Sequence, residues 1–434
     1  MRRARAAVRP NILWIIPDDL GVEVGCYGNR LVETPNMDRL AEGGVRFTNC
    51  HSTAPMCSAS RSGFQTGLYQ TTTGTQCHRS HRKDGYRLPE PARLGTHVLR
   101  ESGYFTCNLT RAASGLPATG KTDFNFAVER PFDGAHWSQR AEGQPFFAQA
   151  NLQPPHKGPA FPLALKRKKL VDPARIELPP YFPDHPVVRD EFANYLDAVQ
   201  LADDQVGVIL DALKRDGLLD STAVFLFGDN VRCLLRSKQW LYEPGTHVPL
   251  VIHWPAAFRA GSVREDLTTL LDVSATTLRL AGAQPKSKLH GRSLLEGESK
   301  APEAIFTARD RSGVAVDRIR SVRTKRYRLI RNFMPERPYT QHNSYIETEY
   351  PTQAVMKELY AAGRLSAVQS QFMAARKPEV ELYDRSADPH EVKNLAESGA
   401  HAKVKRELLG RLERWQKETG DRGAEPEDPD ELKQ

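Results

Sequence analysis

The stretch Asn11-Ile12-Leu13-Trp14-Ile15-Ile16-Pro17-Asp18-Asp19 runs apolar without alternation and stops at two carboxylates. Unbroken apolar runs of this kind belong to strands buried on both faces, the situation in a parallel sheet covered by helices. Working outward, Thr34-Pro35-Asn36-Met37 opens a helix, with Thr34 as its cap and Pro35 in the first turn. Phe146 to Leu152 reads as a second strand. Phe192, Leu196, Val199, Val206, Ile209, Leu210 and Leu213 recur at helical spacing and predict one long amphipathic helix. Thr222 to Phe227 is another apolar run, stopping at Gly228-Asp229-Asn230, and Val248 to His253 is a further strand. Strand and helix in alternation predict an α/β fold, with a mostly parallel central sheet and helices on both faces. Ligands of such sheets bind beyond the carboxyl ends of the strands. Asp18-Asp19 and Asp229-Asn230 both fall there.

The pattern changes after about residue 312. Val314 to Asn332 alternates in the manner of short antiparallel strands, and Met334 to Lys377 is polar and irregular. Glu381-Leu382-Tyr383-Asp384 then precedes a last helix with Val404, Leu408, Leu412 and Trp415 on one face. The reading is a main α/β unit over 10–312, a smaller α+β subdomain with a short antiparallel sheet over 313–420, and a flexible acidic tail over 421–434.

A chain of 434 residues supports a large core and a second, smaller unit. Hydrophobic residues at 39% and charged residues at 26% strike an ordinary soluble balance. Most of the +8 net charge is accounted for by a solvated surface, and its sign favours anionic substrates. Nucleic acid is not an expected partner, because zinc-finger spacing, an RNP run and a recognition-helix pattern are all missing. Lys166-Arg167-Lys168-Lys169 reads as an exposed loop. The six cysteines (26, 50, 57, 77, 107 and 233) contain no CxxC pair, which argues against a zinc or thioredoxin-type site. Nothing in them requires an oxidising compartment. Residues 1–10 are basic but lack the apolar stretch of a signal peptide. No segment approaches the ~20 apolar residues of a membrane span. The compartment stays open between the cytoplasm and a start further upstream.

On a strand, Asp18 and Asp19 would point to opposite faces; at a strand end the chain turns and both can reach one ion. Taken alone, such a pair is more often a helix cap or a loop hydrogen bond. Asp229 and Asn230 at a second strand end shift the balance. Four oxygen donors suit a hard cation, calcium or magnesium, and no His/Cys spacing supports zinc. Cys57 lies in Pro55-Met56-Cys57-Ser58-Ala59-Ser60-Arg61-Ser62-Gly63. A lone cysteine is usually a small buried hydrophobe. Here Ser62 to Tyr69 can form a helix whose N-terminus faces it, where backbone N–H groups stabilise an anion. Arg61 adds a permanent charge suited to hold a nucleophile or an anionic oxygen.

Taken in order, these motifs resemble the type I sulfatases, a formylglycine-dependent family of the alkaline phosphatase superfamily. Asn11 through Asp19 is similar to the family's opening strand and first metal ligands. Cys57-x-Ala59-Ser60-Arg61 resembles its Cys-x-Pro-Ser-Arg signature, with alanine at the proline position. Gly103-Tyr104-Phe105-Thr106 with Gly120-Lys121 resembles the second signature, and Pro155-His156 the histidine after the middle strand. Gly228-Asp229-Asn230, Arg236-Ser237-Lys238 and Tyr242 through Leu250, which contains His247, resemble the late metal and lysine block. Glu381 to Asp384, Asp388-Pro389 and Asn394-Leu395 are similar to the C-terminal signature. His78-Arg79-Ser80-His81 and Lys121 to Phe126 look most like the sulfoglucosamine sulfohydrolase branch, with His78 and His81 facing substrate; a surface loop is the equal alternative.

The resemblance implies that Cys57 is converted by a formylglycine-generating maturation enzyme to 3-oxoalanine, whose hydrate is the nucleophile. It implies calcium on Asp18, Asp19, Asp229, Asn230 and the residue at 57. Lys121, Lys238 and Arg61 would neutralise sulfuryl charge, His156 or Lys238 would protonate the leaving group, and His247 would contact substrate. The implied activity is a sulfuric ester hydrolase cleaving a sulfate ester or sulfamate on a sulfated small molecule or glycan. Members of the family are usually exported or periplasmic. The alternatives are a phosphatase or phosphonate monoester hydrolase of the same superfamily, and a decayed, non-catalytic binder of sulfated glycans.

Three departures from the family pattern carry expectations of their own. Leu109 to Thr119 reads as an insertion that displaces Lys121 or bulges as a loop. Asp123 stands where many sulfatases carry a histidine, which removes one pocket cation. Val231 follows Asn230 where the family has glycine; at positive φ it would be strained by about 1–3 kcal/mol.

Overall fold

The computed structural model describes residues 9–425. In chain order its strands are β1 (Asn11–Asp18), β2 (Val45–Phe47), β3 (Cys50–His51), β4 (Phe105–Asn108), β5 (Phe146–Pro155), β6 (Thr222–Phe227), β7 (Leu250–His253), β8 (Ser262–Arg264), β9 (Thr268–Thr269), β10 (Ile305–Arg309), β11 (Ile319–Arg323), β12 (Tyr327–Asn332) and β13 (Val380–Asp384). Seven of them form one sheet in the order β4-β5-β1-β6-β7-β2-β8. β4, β5, β1 and β6 run parallel, while β7 is antiparallel to both its neighbours. The mostly parallel α/β sheet expected from the apolar runs is present.

β1 is central, and burial on both faces explains its unbroken apolar run. Leu13 and Ile15 enter one core with Val206 and Ile209 of the helix Pro186–Arg215. Ile12, Trp14 and Ile16 enter a second core with Phe64 and with Leu270, Val273 and Leu278 of the helix Leu270–Ala281. Thr34 does precede a helix, Pro35–Glu42, but its hydroxyl does not cap it. Thr34 Oγ1 accepts from Gly25 N (2.8 Å) and donates to Asp38 Oδ1 (3.1 Å). Asp203, from the long helix, accepts from the first backbone N–H groups instead, Asn36 at 3.1 Å and Met37 at 2.8 Å.

The second sheet is antiparallel, in the order β10-β11-β12-β13. It begins with Ile305–Arg309, ahead of the change of sequence pattern at 312. Its outer face packs Val322, Leu329 and Leu382 against Leu408, Leu412 and Trp415 of the helix Ala402–Thr419. Its inner face adds Ile319, Ile330 and Tyr383 to the main core. The stretch expected to be irregular, Met334 to Lys377, instead contains the helices Ser344–Glu349, Pro351–Ala361 and Ala367–Ser370. Pro351–Ala361 buries only Thr352, Gln353 and Met356, too mixed a set to make an apolar stripe. Residues 421–425 are tied down: Asp421 pairs with buried Arg320 at 2.6 Å, and Arg422 N bonds Thr71 O at 3.0 Å. Residues 1–8 and 426–434, which carry the basic start and the rest of the acidic tail, lie outside the described residues. Among the described residues no helix is long and apolar enough to cross a membrane.

Candidate active site

β1, β5 and β6 end side by side, and Cys57, His156 and Lys238 line a cavity of about 690 Å³ there. β1 does not end as a regular strand. Its register against β5 shifts between Pro17 and Asp18, and Asp19 takes φ 65°. Aspartate tolerates that left-handed conformation better than most residues. The bulge is why two consecutive carboxylates reach the same space. β6 runs out at Gly228, where a Cβ would lie 2.1 Å from the Leu20 carbonyl oxygen, so the two strand exits pass only because this residue has no side chain. Asp229 Oδ1 then accepts from Asp19 N (3.0 Å), Asn230 N (2.9 Å) and Asn230 Nδ2 (2.8 Å), clasping both exits together.

The helix expected from Ser62 begins earlier. It spans Cys57–Thr66 and is buried along its entire length. Ser62 Oγ donates to Ser58 O (2.7 Å) and Thr66 Oγ1 to Ser62 O (2.9 Å), which lets small hydroxyl residues sit in a dry helix. Cys57 is the first helical residue. Its Sγ receives a hydrogen bond from Asn230 Nδ2 (3.3 Å) and lies 3.7 Å from Asp19 Oδ1. Burial pushes the thiol up to about 12, so as a cysteine this residue stays protonated. One turn on, Arg61 donates from Nε to Asp229 Oδ2 (2.9 Å), from Nη1 to Asn151 Oδ1 (2.6 Å) and from Nη2 to Asp18 Oδ1 (3.1 Å).

The insertion before Lys121 does not displace it. Residues 109–119 fold back on themselves through a bridge between Thr110 and Thr119 and a bond from Arg111 N to Ala118 O (2.8 Å). Lys121 Nζ reaches Asp18 at 2.9 and 2.7 Å. Lys238 Nζ holds both oxygens of Asp19 at 2.8 Å. Burial works against both ammonium groups, but the facing carboxylates outweigh it and raise their pKa values. Burial would likewise raise Asp18; Lys121 and Arg61 outweigh it and hold that carboxyl well below the usual range. Asp229, where burial and the Asp18 charge prevail, rises to about 6. His156 Nε2 stands 3.7 Å from Asp19 Oδ2, while Nδ1 donates to the Lys157 carbonyl (2.7 Å), which accepts only. Val231 is not strained: it is absent from the positive-φ residues and packs in the second core.

The residues expected from sequence therefore divide. Asp18, Asp19, Cys57, Arg61, Lys121, His156, Asp229, Asn230 and Lys238 converge. His78 lines the same cavity, its Nδ1 3.0 Å from Ser58 Oγ. His81 opens onto a neighbouring cavity, stacked on Tyr86 and paired with Asp84 at 2.6 Å. His247 lies elsewhere, stacked on His51 and 3.5 Å from Glu243. Asn151, which orients Arg61, went unread, although an amide inside the apolar run of β5 was the available signal. Gln239, Arg311, Asn343 and Tyr345 also line the cavity; the last two come from the stretch read as irregular.

The donor set fits a hard cation. Carboxylate oxygens of Asp18 and Asp229 lie within 4.8 Å of Cys57 Sγ and of each other. Asn230 Oδ1 is buried with no hydrogen-bond partner among the described residues. An amide oxygen left without a donor beside three carboxylates is what a calcium or magnesium site asks for.

Across the chain, the sulfatase family model matches residues 10–283, and the model for the C-terminal part of N-sulphoglucosamine sulphohydrolase matches residues 235–374. The chain belongs to the sulfatase family. This sulfatase is 30% identical to an ulvan-active sulfatase of Formosa agariphila, over 96% of this chain and 76% of that protein. It is 28% identical to the human N-sulphoglucosamine sulphohydrolase, over 95% of this chain and 90% of that protein. A solved structure in complex with its substrate D-glucosamine-2-N,6-O-disulfate superposes with a TM-score of 0.68 at 19% identity, covering 96% of this chain and 100% of the other. As a sulfatase the chain is a sulfuric ester hydrolase, with its carboxylates and lysines gathered where the parallel strands end.

Proposed function

We propose that the chain hydrolyses a sulfate ester or sulfamate on a sulfated carbohydrate, with Cys57 converted to formylglycine and calcium held by Asp18, Asp19, Asp229 and Asn230. The observation that carries this reading is the meeting of Cys57 with those four oxygen donors and with Lys121, Lys238 and Arg61 in one cluster, reached from the cavity that Cys57 and Lys238 line. A protonated, buried thiol makes a poor nucleophile, which favours a modified residue at 57. The names of the two relatives, an ulvan-active sulfatase and an N-sulphoglucosamine sulphohydrolase, support a sulfated glycan as substrate.

When bound, the cation would supply positive charge to the sulfuryl oxygens and lower the pKa of a hydroxyl at position 57. The remaining work falls to the chain. Lys121, half-buried, and Lys238, buried, are charged and fixed by carboxylates, so they are placed to stabilise negative charge developing on the sulfuryl group. Arg61 holds Asp18 and Asp229 in register. His156 has Nδ1 committed to a carbonyl, so any proton it hands to the leaving oxygen or nitrogen comes from Nε2.

The test is turnover of p-nitrophenyl sulfate and N-sulfated glucosamine by protein co-expressed with a formylglycine-generating enzyme. Both are expected to be cleaved, Cys57→Ala is expected to be inactive, and the peptide containing residue 57 is expected to weigh about 18 Da less than its thiol form. Turnover of phosphate esters alone, or an unshifted peptide in active protein, overturns the reading.

A further inference from the structure

We propose that this cavity selects substrates that carry a second anionic group, a carboxylate or a further sulfate, and binds that group on the wall formed by Arg79, Arg82 and Lys83. The inference rests on the sulfatase reading above, which places the reacting sulfate at the floor beside Cys57. A cavity of about 690 Å³ has room for a sugar ring beyond a single sulfate. Its cations are unevenly distributed. Lys238, which lines the cavity beside Cys57, and Lys121 and Arg61 in the cluster around it are each matched by a carboxylate. On the wall, Arg79, Arg82 and Lys83 face one carboxylate, Asp123. Arg82 Nη2 lies 2.5 Å from Asp123 Oδ1, and Arg79 Nε stands off at 3.7 Å. Asp123 is shared further, with Lys121 Nζ at 3.8 Å. Lys83 makes no side-chain ion pair or hydrogen bond among the described residues. Asp84, next in the chain, pairs with His81 and lines the neighbouring cavity. Arg311 also lines the wall, donating to the carbonyls of His78 (3.4 Å) and Gly313 (3.0 Å).

The wall is built rather than loose. His78 N bonds Arg311 O (2.9 Å), Arg79 N bonds Ser58 Oγ (2.8 Å), and buried Asn125 Nδ2 bonds Thr75 O (2.9 Å) and Cys77 O (2.7 Å). These bonds hold Arg79 at φ 54°, a conformation a bulky residue rarely adopts. Elsewhere the lining includes Gln239, Ser312, Asn343 and Tyr345, which are polar but uncharged. Neutral polar groups suit sugar hydroxyls, and the cluster of cations suits an anion. A guanidinium bonds carboxylate and sulfate oxygens alike, so the two sources are separated by experiment.

Equilibrium binding to Cys57→Ala protein is measured for three ligands: N-sulfated glucosamine, glucosamine 2-N,6-O-disulfate, and N-sulfated glucosamine joined to a uronic acid. The expected result is at least tenfold tighter binding of one or both dianionic ligands than of the first. Whichever gains identifies the second group as sulfate or carboxylate. That ratio is expected to fall to near one in Arg79→Ala/Lys83→Ala, whose side chains are solvent-facing enough to be removed without opening the core. In the parent the ratio is expected to shrink as salt rises. Equal affinities, no measurable binding of any of the three, or a ratio the double variant leaves intact overturns the proposal. Hydrolysis of N-sulfated glucosamine with no preference for a second anion overturns this inference and leaves the sulfatase reading standing.

Discussion

Arg61 divides its guanidinium among three segments: Asp229 after β6, Asn151 in β5 and Asp18 at the end of β1. Lysine offers one ammonium group and cannot reproduce that fork. Arg61→Lys is expected to cost about 3–5 kcal/mol in urea unfolding, the usual consequence of leaving a buried carboxylate without its partner. It is also expected to lower turnover about 100-fold by letting the carboxylates shift. Asn230 answers a different question. Calcium at a hundred times its dissociation constant is expected to stabilise the parent by about 2.7 kcal/mol, seen as a rise in Tm that EGTA reverses. Asn230→Ala, which removes the amide oxygen without a donor, is expected to lose most of that rise. Most residues of this cluster were legible in the sequence because Asp18-Asp19 and Asp229-Asn230 closed two apolar runs and Cys57 stood one helical turn before Arg61. His247 was not, because its position near other motif residues says nothing of which way the backbone carries it; it stacks on His51 instead.

Among the elements, β1, β5 and β6 were readable as largely apolar runs buried on both faces, and the helix Pro186–Arg215 because its buried residues recur at helical spacing. The helix Cys57–Thr66 was set too late, since Ser58, Ala59 and Ser60 look like a loop; in the fold the Ser58 and Ser60 hydroxyls find partners outside the helix, in His78 and the Asp229 carbonyl. The helix Leu270–Ala281 yields a pH prediction. Asp272, three residues past the Thr269 cap, accepts from Thr269 N (2.9 Å) and Arg292 N (2.8 Å), and burial pushes its carboxyl up to about 6. The folded state therefore keeps a proton that the unfolded chain releases near pH 4. The stability this contributes is complete below pH 4 and is lost as pH rises through 6, about 3 kcal/mol at most. Relative to Asp272→Asn, which does not titrate, the parent is expected to lose stability between pH 4 and 7 in urea unfolding. A difference that stays constant with pH would contradict the assignment.

At the scale of the molecule, the small sheet meets the main one through buried charge. Arg328 Nε pairs with Glu391 (2.8 Å) and Nη2 with Glu243 (2.5 Å); Arg323 pairs with Glu243 at 2.9 Å, and Arg385 at 3.1 Å. In the sequence Arg323 and Arg328 look like the solvated half of an alternating strand, because alternation reports that two faces differ, not which one meets water. Arg328→Ala is expected to lower stability by about 3 kcal/mol, because Glu391 Oε1 is left with Arg385 at 3.6 Å and Glu243 Oε2 with Arg323 alone. The sheet order also sets a clock. β2, which leads into the helix of Cys57, has no partner until β7 (Leu250–His253) and β8 have been made, and that helix packs on Leu270–Ala281. At about 5–20 residues per second, the roughly 200 residues in between take on the order of 10–40 s to leave the ribosome. Cys57 ends 2% exposed, but for those seconds it has no finished fold to hide in. Under the proposed conversion of Cys57, the modifying enzyme has to act before the fold closes, and a chain that folds first keeps the thiol.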